Sequence, residues 1–285
     1  MIEDKPFDRR LRRIRRDRAA ARWGEADYLH RLASDEILER LDMVTRSFSN
    51  ALDLGCGGGY LGERLSERGI DVTFADAGEA FAARDPGVQC DEDRLPFADR
   101  AFDLVVSVGV LDTVNDLPGA LTLIRRALRP DGLFLAAFVG AGSLPRLRSA
   151  MLAGDAVDGA AAPRIHPQID VRAAGDLLTR AGFALQVADS GAIDVRFTGM
   201  MSLVRDLRAM GGTNILGNRS AARLSRFAAA AAIAQFEAQA DADGKTAERF
   251  EIVYLTGWAP SPDQPKPARR GSATASLAAA LRPRS

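Results

Sequence analysis

The stretch ALDLGCGGGYLG, residues 51–62, limits what this chain can fold into more than any other part of it. The apolar run Ala51 to Leu54 ends in a cluster of glycines, and an amphipathic segment carrying Leu61 and Leu65 follows, stopped by Arg68 and Gly69. That order spells strand, tight loop and helix, because glycine takes up the left-handed backbone of such a turn at no steric cost. A loop of this kind presents free backbone N–H groups at a helix N-terminus, where they receive an anionic group of a ligand.

The alternation continues along the chain. Ile70 to Ala75 is apolar and ends at Asp76, and a short helix leads to a short strand near Val88 to Cys90. Phe102 to Val108 is a continuous apolar run, as expected of a strand covered on both faces. Leu117, Leu121, Ile124 and Leu128 recur at helical spacing before the turn at Pro130, Asp131 and Gly132, and Leu133 to Val139 reads as another buried strand. Strands alternating with helices predict a mainly parallel sheet with helices on both faces.

Between Gly140 and Pro167 the pattern breaks into alanine, glycine and proline, which reads as an inserted loop or lobe. It follows a strand's carboxyl end, the side on which open α/β sheets bind ligands. Further helices are expected at Ala174 to Ala181, at Met200 to Met210 with its apolar face on the sheet, and from about Ser220 to Ala240. Phe183 to Phe197 and Phe250 to Trp258 supply the remaining strand segments. The expected organisation is a basic helical segment over 1–48, an α/β domain over 49–258 with an insertion at 140–170 and extra helices at 199–240, and an irregular Pro-rich tail over 259–285.

Composition narrows the function classes. Lys+Arg and Asp+Glu number 38 each in 285 residues, so no global attraction to nucleic acid or anionic lipid is expected. Cys56 and Cys90 are too few for a disulfide framework. The most apolar run, Phe227 to Phe236, is far shorter than the ~20 residues that cross a bilayer. The arginine-rich N-terminus is interrupted by Glu3, Asp4, Asp8 and Asp17 and precedes no apolar core, so it reads as neither a secretory signal nor a presequence. A solvated, ion-paired helix is the simplest expectation for it, with a docking surface for an acidic partner or RNA as the alternative.

Two ligands compete for the glycine loop. Gly57, Gly59 and Gly62 spell the dinucleotide pattern, while Asp53, Gly55, Gly57 and Gly59 spell one found at S-adenosylmethionine (SAM) sites. Asp53 decides against a pyrophosphate, which it would repel, and suits the ammonium of SAM, directly or through water. Asp76 ends the second strand, where an acid accepts from ribose hydroxyls in either case. The third segment discriminates. CDEDRLPF, residues 90–97, resembles the D-A-E-x-L-P-F segment of class I SAM-dependent methyltransferases, and FDLVVS at 102–107 and LRPDGL at 128–133 look like that family's fourth strand and the entry to its fifth. The resemblance implies a Rossmann-like, seven-stranded sheet whose last strand, here Phe250 to Trp258, is antiparallel. It also implies that SAM is held by Asp53, Gly55, Gly57, Gly59, Asp76, Asp91 (adenine amino group), Glu92 (backbone beside the ring) and Ser107.

A narrower resemblance runs nearly end to end. PFDR at 6–9, VNDLP at 114–118, DLRAMG at 206–211 with Thr213 and Asn214, TGW at 256–258 and GSAT at 271–274 are similar to the methyltransferase-fold assembly factors of respiratory complex I and their alphaproteobacterial relatives. More distantly, the core is similar to the malonyl-acyl carrier protein methyltransferase of biotin synthesis. The mitochondrial member of the assembly-factor family hydroxylates an arginine of a complex I subunit. The resemblance implies a protein substrate in complex I, no nucleic acid partner, and a cytoplasmic bacterial protein, peripheral at the inner membrane through complex I.

This chain departs from the family where the acceptor is expected: L-H-W-V-N-D-L-P is LDTVNDLP at 111–118, so Asp112 and Thr113 stand for a histidine and a tryptophan. Asp112 is the candidate catalytic residue, as a base or as the anchor of a cationic acceptor, with Thr113 and Asn115 as further pocket residues. Arg146 and Arg148 of the insertion are candidates for an acidic partner. The only histidines, His30 and His166, lack the spacing of a metal-holding triad and are expected singly at the surface or an interface. The activity is therefore expected to be SAM-dependent methyl transfer to a protein side chain, with arginine hydroxylation, a non-catalytic SAM-binding assembly chaperone, and malonyl-acyl carrier protein methylation as alternatives.

Overall fold

The computed structural model describes residues 5–219 and 224–265. In chain order the elements are α1 (Arg9–Ala20), a 3-10 turn (Trp23–Glu25), α2 (Tyr28–Asp42), β1 (Asn50–Leu54), α3 (Tyr60–Glu67), β2 (Asp71–Asp76), α4 (Glu79–Ala82), β3 (Gly87–Gln89) and β4 (Phe102–Val108). There follow a 3-10 turn (Leu111–Thr113), α5 (Leu117–Ala127), β5 (Leu128–Val139), α6 (Pro145–Asp158), α7 (Val171–Ala181), β6 (Ala184–Phe197), α8 (Met200–Ala209), α9 (Arg226–Glu237) and β7 (Thr246–Trp258). The strands form one seven-stranded sheet in the order β3-β2-β1-β4-β5-β7-β6. β1 pairs in parallel with β2 and β4, and β7 runs antiparallel between β5 and β6. The chain order reverses between β1 and β4, which puts the ligand crevice of an open α/β sheet at their carboxyl ends.

Alternation along the central strands builds two cores. Leu104, Val106 and Val108 of β4 pack with α2, α3 and α8 on one face, while Val105 packs with α5 and α7 on the other. β4 is buried along its whole length, as its uninterrupted apolar run requires.

The insertion, expected as a loop or lobe, contains a regular helix. Pro145 and Gly159, which read as breakers, are the start and stop of the helix α6: proline suits the first turn, and Gly159 takes the left-handed cap with φ 76°. α6 packs closely on alanine-rich α9, and a Cβ at Gly154 would lie 2.8 Å from the Ala228 carbonyl oxygen. The 271–274 segment and most of the Pro-rich tail lie outside the described residues.

Candidate functional site

The glycine loop joins β1 to α3 as expected. Gly55, Gly57 and Gly59 have φ of 80°, 49° and 84°. Any side chain at Gly57 or Gly58 would strike the Trp23 indole, at 2.8 Å and 2.5 Å. Asp53 is turned under the loop rather than into open space, and accepts from the Gly62 N–H at 3.0 Å. Burial pushes its carboxyl up to about 7, against the pull of that N–H. In this arrangement Asp53 ties β1 to the first turn of α3.

The four acids of the second and third segments are all engaged by α1. Asp76 Oδ1 accepts from Arg16 Nε at 2.6 Å and from the Gly78 N–H at 2.7 Å. Its Oδ2 accepts from Arg16 Nη2 and, at 3.1 Å, from the Gly57 N–H. Arg12 grips both oxygens of Glu92, at 2.6 and 2.8 Å. Arg13 and Arg9 donate to Asp91 Oδ2 at 2.6 and 3.4 Å, and Arg9 also reaches Asp93. Burial pushes the Asp76 carboxyl up, but the Arg16 guanidinium and the two N–H groups outweigh it and hold it below the usual carboxylate range. Sequence reasoning expected a solvated, ion-paired helix; the ion pairs are present, but Arg12 and Arg16 are each 6% exposed rather than solvated. The reason is spacing: residues 9, 12, 13 and 16 share one face of a helix, and that face meets a row of carboxylates.

Next to the groove between β1 and β2 that α1 fills with these ion pairs lies a cavity of about 280 Å³ at the carboxyl ends of β4 and β5. Its walls are mainly apolar, with Phe138, Leu147, Met151, Leu207, Phe250 and Ile252 among them. Arg12, Arg16 and Trp23 also line it, so α1 and the turn after it are the partition between cavity and groove. Asp112 lines it too. It lies in the 3-10 turn Leu111–Thr113, while Asp116 is the residue that caps α5, accepting from the Gly119 N–H at 2.8 Å. Asp112 Oδ1 has no hydrogen-bond partner, and burial raises the carboxyl to about 6 despite nearby backbone N–H, Arg12 and Arg16.

Both histidines, expected at the surface, are on the wall of this cavity. His30 makes no well-formed hydrogen bond at either ring nitrogen, although it faces the Val108 carbonyl. Burial, reinforced by Arg16, lowers it to about 4, so the imidazole is neutral at pH 7. His166 accepts from the Ile215 N–H at 3.0 Å, stitching the segment after α6 to the loop after α8. Sequence reasoning missed both because nothing local marks them. The nearest signal for His30 was its place on the apolar side of α2, beside Leu29 and Ala33.

Thr113 lines the cavity and accepts from Arg12 Nε at 3.1 Å. Asn115 does not line it: its side chain brackets Phe7, accepting from the Phe7 N–H at 2.9 Å and donating to the carbonyl at 3.1 Å. Arg146 of the insertion is used on the Ala247 carbonyl, and Arg148 reaches Gln168 at 3.5 Å. The face of α8 is divided: Met200 and Leu203 enter the core, while Val204 and Leu207 line the cavity.

A family model described as a methyltransferase domain matches residues 52–136. The mitochondrial arginine-hydroxylase NDUFAF5 of Danio rerio is 37% identical over 283 residues, covering 95% of this chain and 88% of that protein. This chain belongs to the NDUFAF5 family. A malonyl-acyl-carrier-protein O-methyltransferase of Methylovorus sp. (strain MP688) is 31% identical over 268 residues, covering 87% of this chain and 88% of that enzyme. Among solved structures, a Bacillus halodurans C-125 protein assigned as a methyltransferase shares the fold with a TM-score of 0.55 at 13% identity, covering 80% of this chain and 100% of that one.

The cofactor that goes with an NDUFAF5-family methyltransferase domain is S-adenosyl-L-methionine, and the donor set here fits it. Asp91, 4% exposed, keeps Oδ1 buried and unpartnered beside the loop, as an acceptor awaiting a donor. Asp76 ends β2 beside the loop, with Oδ2 on the Gly57 N–H, Oδ1 on the Gly78 N–H and both oxygens on Arg16. Ser107, fully buried on β4, likewise has an unpartnered Oγ. Among the described residues no helix is long and apolar enough to cross a membrane, and no group of three or more His, Cys, Asp or Glu is placed to hold a metal ion.

Proposed function

We propose that this chain modifies a protein side chain of a respiratory complex I subunit, an arginine being the acceptor that its relatives' name supports, with the cavity as the acceptor site. The observation that carries this reading is three buried polar atoms without hydrogen-bond partners, Asp112 Oδ1 and the two ring nitrogens of His30, on two residues of the wall of a mainly apolar cavity. Buried polar groups left unsatisfied are costly, and a fold keeps them where a ligand completes them. The apolar walls take a methylene stem and exclude water, Asp112 anchors or deprotonates a cationic or N–H-bearing head, and neutral His30 offers a second acceptor. SAM supplies an electrophilic methyl group, and the protein's part is chiefly alignment and proton removal.

Methyl transfer is the reaction that the domain supports. Hydroxylation is the second reading, and 37% identity to an arginine hydroxylase over an alignment covering 95% of the chain favours it. A purely scaffolding role through the front helix is less well supported, because Arg12, Arg13 and Arg16 are committed to internal carboxylates. The test is mass spectrometry of complex I subunits from cells with and without the gene, and with Asp112→Ala. Loss of a one-methylene mark assigns methyl transfer; loss of a one-oxygen mark assigns hydroxylation. Subunits identical in all three strains overturn the proposal and leave malonyl-acyl carrier protein as the acceptor to assay.

A further inference from the structure

The groove that would hold the cofactor is filled by the protein itself. A carboxylate offers about four acceptor positions, and Asp76 uses four: two for Arg16, one for the Gly78 N–H and one for the Gly57 N–H. A ribose diol has no position left on it. Both oxygens of Glu92 are held by Arg12, and only Asp91 Oδ1 remains open. The Trp23 ring lies directly on Gly57 and Gly58. The cavity wall, in turn, includes Arg12, Arg16 and Trp23 but none of the loop glycines, Asp76 or Asp91.

We propose that α1 is an internal occupant of the cofactor groove that the nucleoside must displace, and that Arg16 and Arg12 are the residues that set the affinity for it. This rests on the SAM reading above. The innermost pair is replaced on binding: the ribose takes the positions on Asp76 that Arg16 gives up, and withdrawal of the helix removes the partition between groove and cavity. The two spaces then become one, as transfer between a cofactor and an acceptor requires. The order of release follows burial. Arg13 and Arg9, with side chains 45% and 21% exposed, hold the outer pairs and let go first, while Arg12 and Arg16 hold the inner ones. Closure of lids over a site is common; here the strap itself lies in the groove and opens for the cofactor.

The test uses the full chain and S-adenosylhomocysteine as the probe. By calorimetry Arg16→Ala is expected to bind it at least ten-fold more tightly than the wild type, and Arg16→Gln to fall between. Hydrogen exchange on the wild type, which needs no variant, is expected to show residues 9–20 losing protection several-fold on adding the probe while 52–62 gain it. Equal or weaker binding by both Arg16 variants, with α1 protection kept or increased, overturns the proposal and leaves the cofactor reading standing. No saturation in the wild type or in either variant removes the cofactor reading, and this proposal with it.

Discussion

The groove and the cavity are neighbours divided by one helix, and they solve the problem of buried polar groups in opposite ways. In the groove four carboxylates are paired with guanidiniums, Asp76 with Arg16, Glu92 with Arg12, Asp91 with Arg13 and Asp93 with Arg9, and only Asp53, held by a backbone N–H, and Oδ1 of Asp91 stand outside that network. In the cavity, Asp112 Oδ1 and both ring nitrogens of His30 are buried without a hydrogen-bond partner. A satisfied network is rigid and complete in itself, whereas an unsatisfied group is held at a cost until something arrives to pair with it. The contrast separates a region whose ligand must compete with the protein from one whose ligand meets no competitor.

The largest effect should come from breaking the satisfied side. Asp76→Ala leaves Arg16 buried without its carboxylate, and is expected to cost about 3–5 kcal/mol in urea denaturation. Removing both partners in Asp76→Ala/Arg16→Ala should restore much of that loss, since the cost is that of an orphaned charge rather than of a missing contact. A double variant no more stable than the single one would show that the pair does not act as a unit and would erase the distinction between the two regions.

Removing a carboxylate from the cavity should do the reverse. Burial raises Asp112 from its ordinary value of 3.8 to about 6. Between those values the folded protein keeps a proton that the unfolded chain has lost, so stability from this group is complete below the lower value, falls as pH rises to about 6, and stays low above it. Asn keeps the shape and does not ionise. Asp112→Asn is therefore expected to be about 1–3 kcal/mol more stable than the wild type at pH 8 and no more stable at pH 4. A variant destabilised at pH 8 would mean that the carboxylate is held by favourable contacts after all, and the cavity would resemble the groove.

How much of this was legible in the sequence follows from range. The glycine loop, the acids at strand ends and Asp112 after the fourth strand were readable because each sits beside the turn that positions it. The antiparallel last strand came from the family pattern and is found at Thr246–Trp258. What escaped was long-range pairing. Arg16 and Asp76 are 60 residues apart, and no local rule says that a helix rich in arginine turns inward. The periodicity of residues 9, 12, 13 and 16 held the clue, since one charged face of a helix asks for an opposite row. α6 escaped for another reason: Pro145 and Gly159 mark either a broken segment or the two ends of a helix, and the tight packing of Gly154 on Ala228 shows which.

The smallest expected effect supplies the baseline for the others. Asp116 caps α5 through the Gly119 N–H, and α5 buries Leu117, Leu121 and Ile124 in the core on the far side of the sheet from α2 and α8. Asp116→Ala should lose one cap bond, about 1 kcal/mol, while keeping the backbone N–H that meets Asp93 Oδ2 at 3.3 Å. Binding of S-adenosylhomocysteine should be unchanged, because neither the groove nor the cavity wall contains that side chain. If affinity shifts as much here as in the Arg16 variants, then loss of stability alone moves the ligand equilibrium. The ten-fold gain expected on freeing Asp76 would then report a looser fold rather than a displaced competitor.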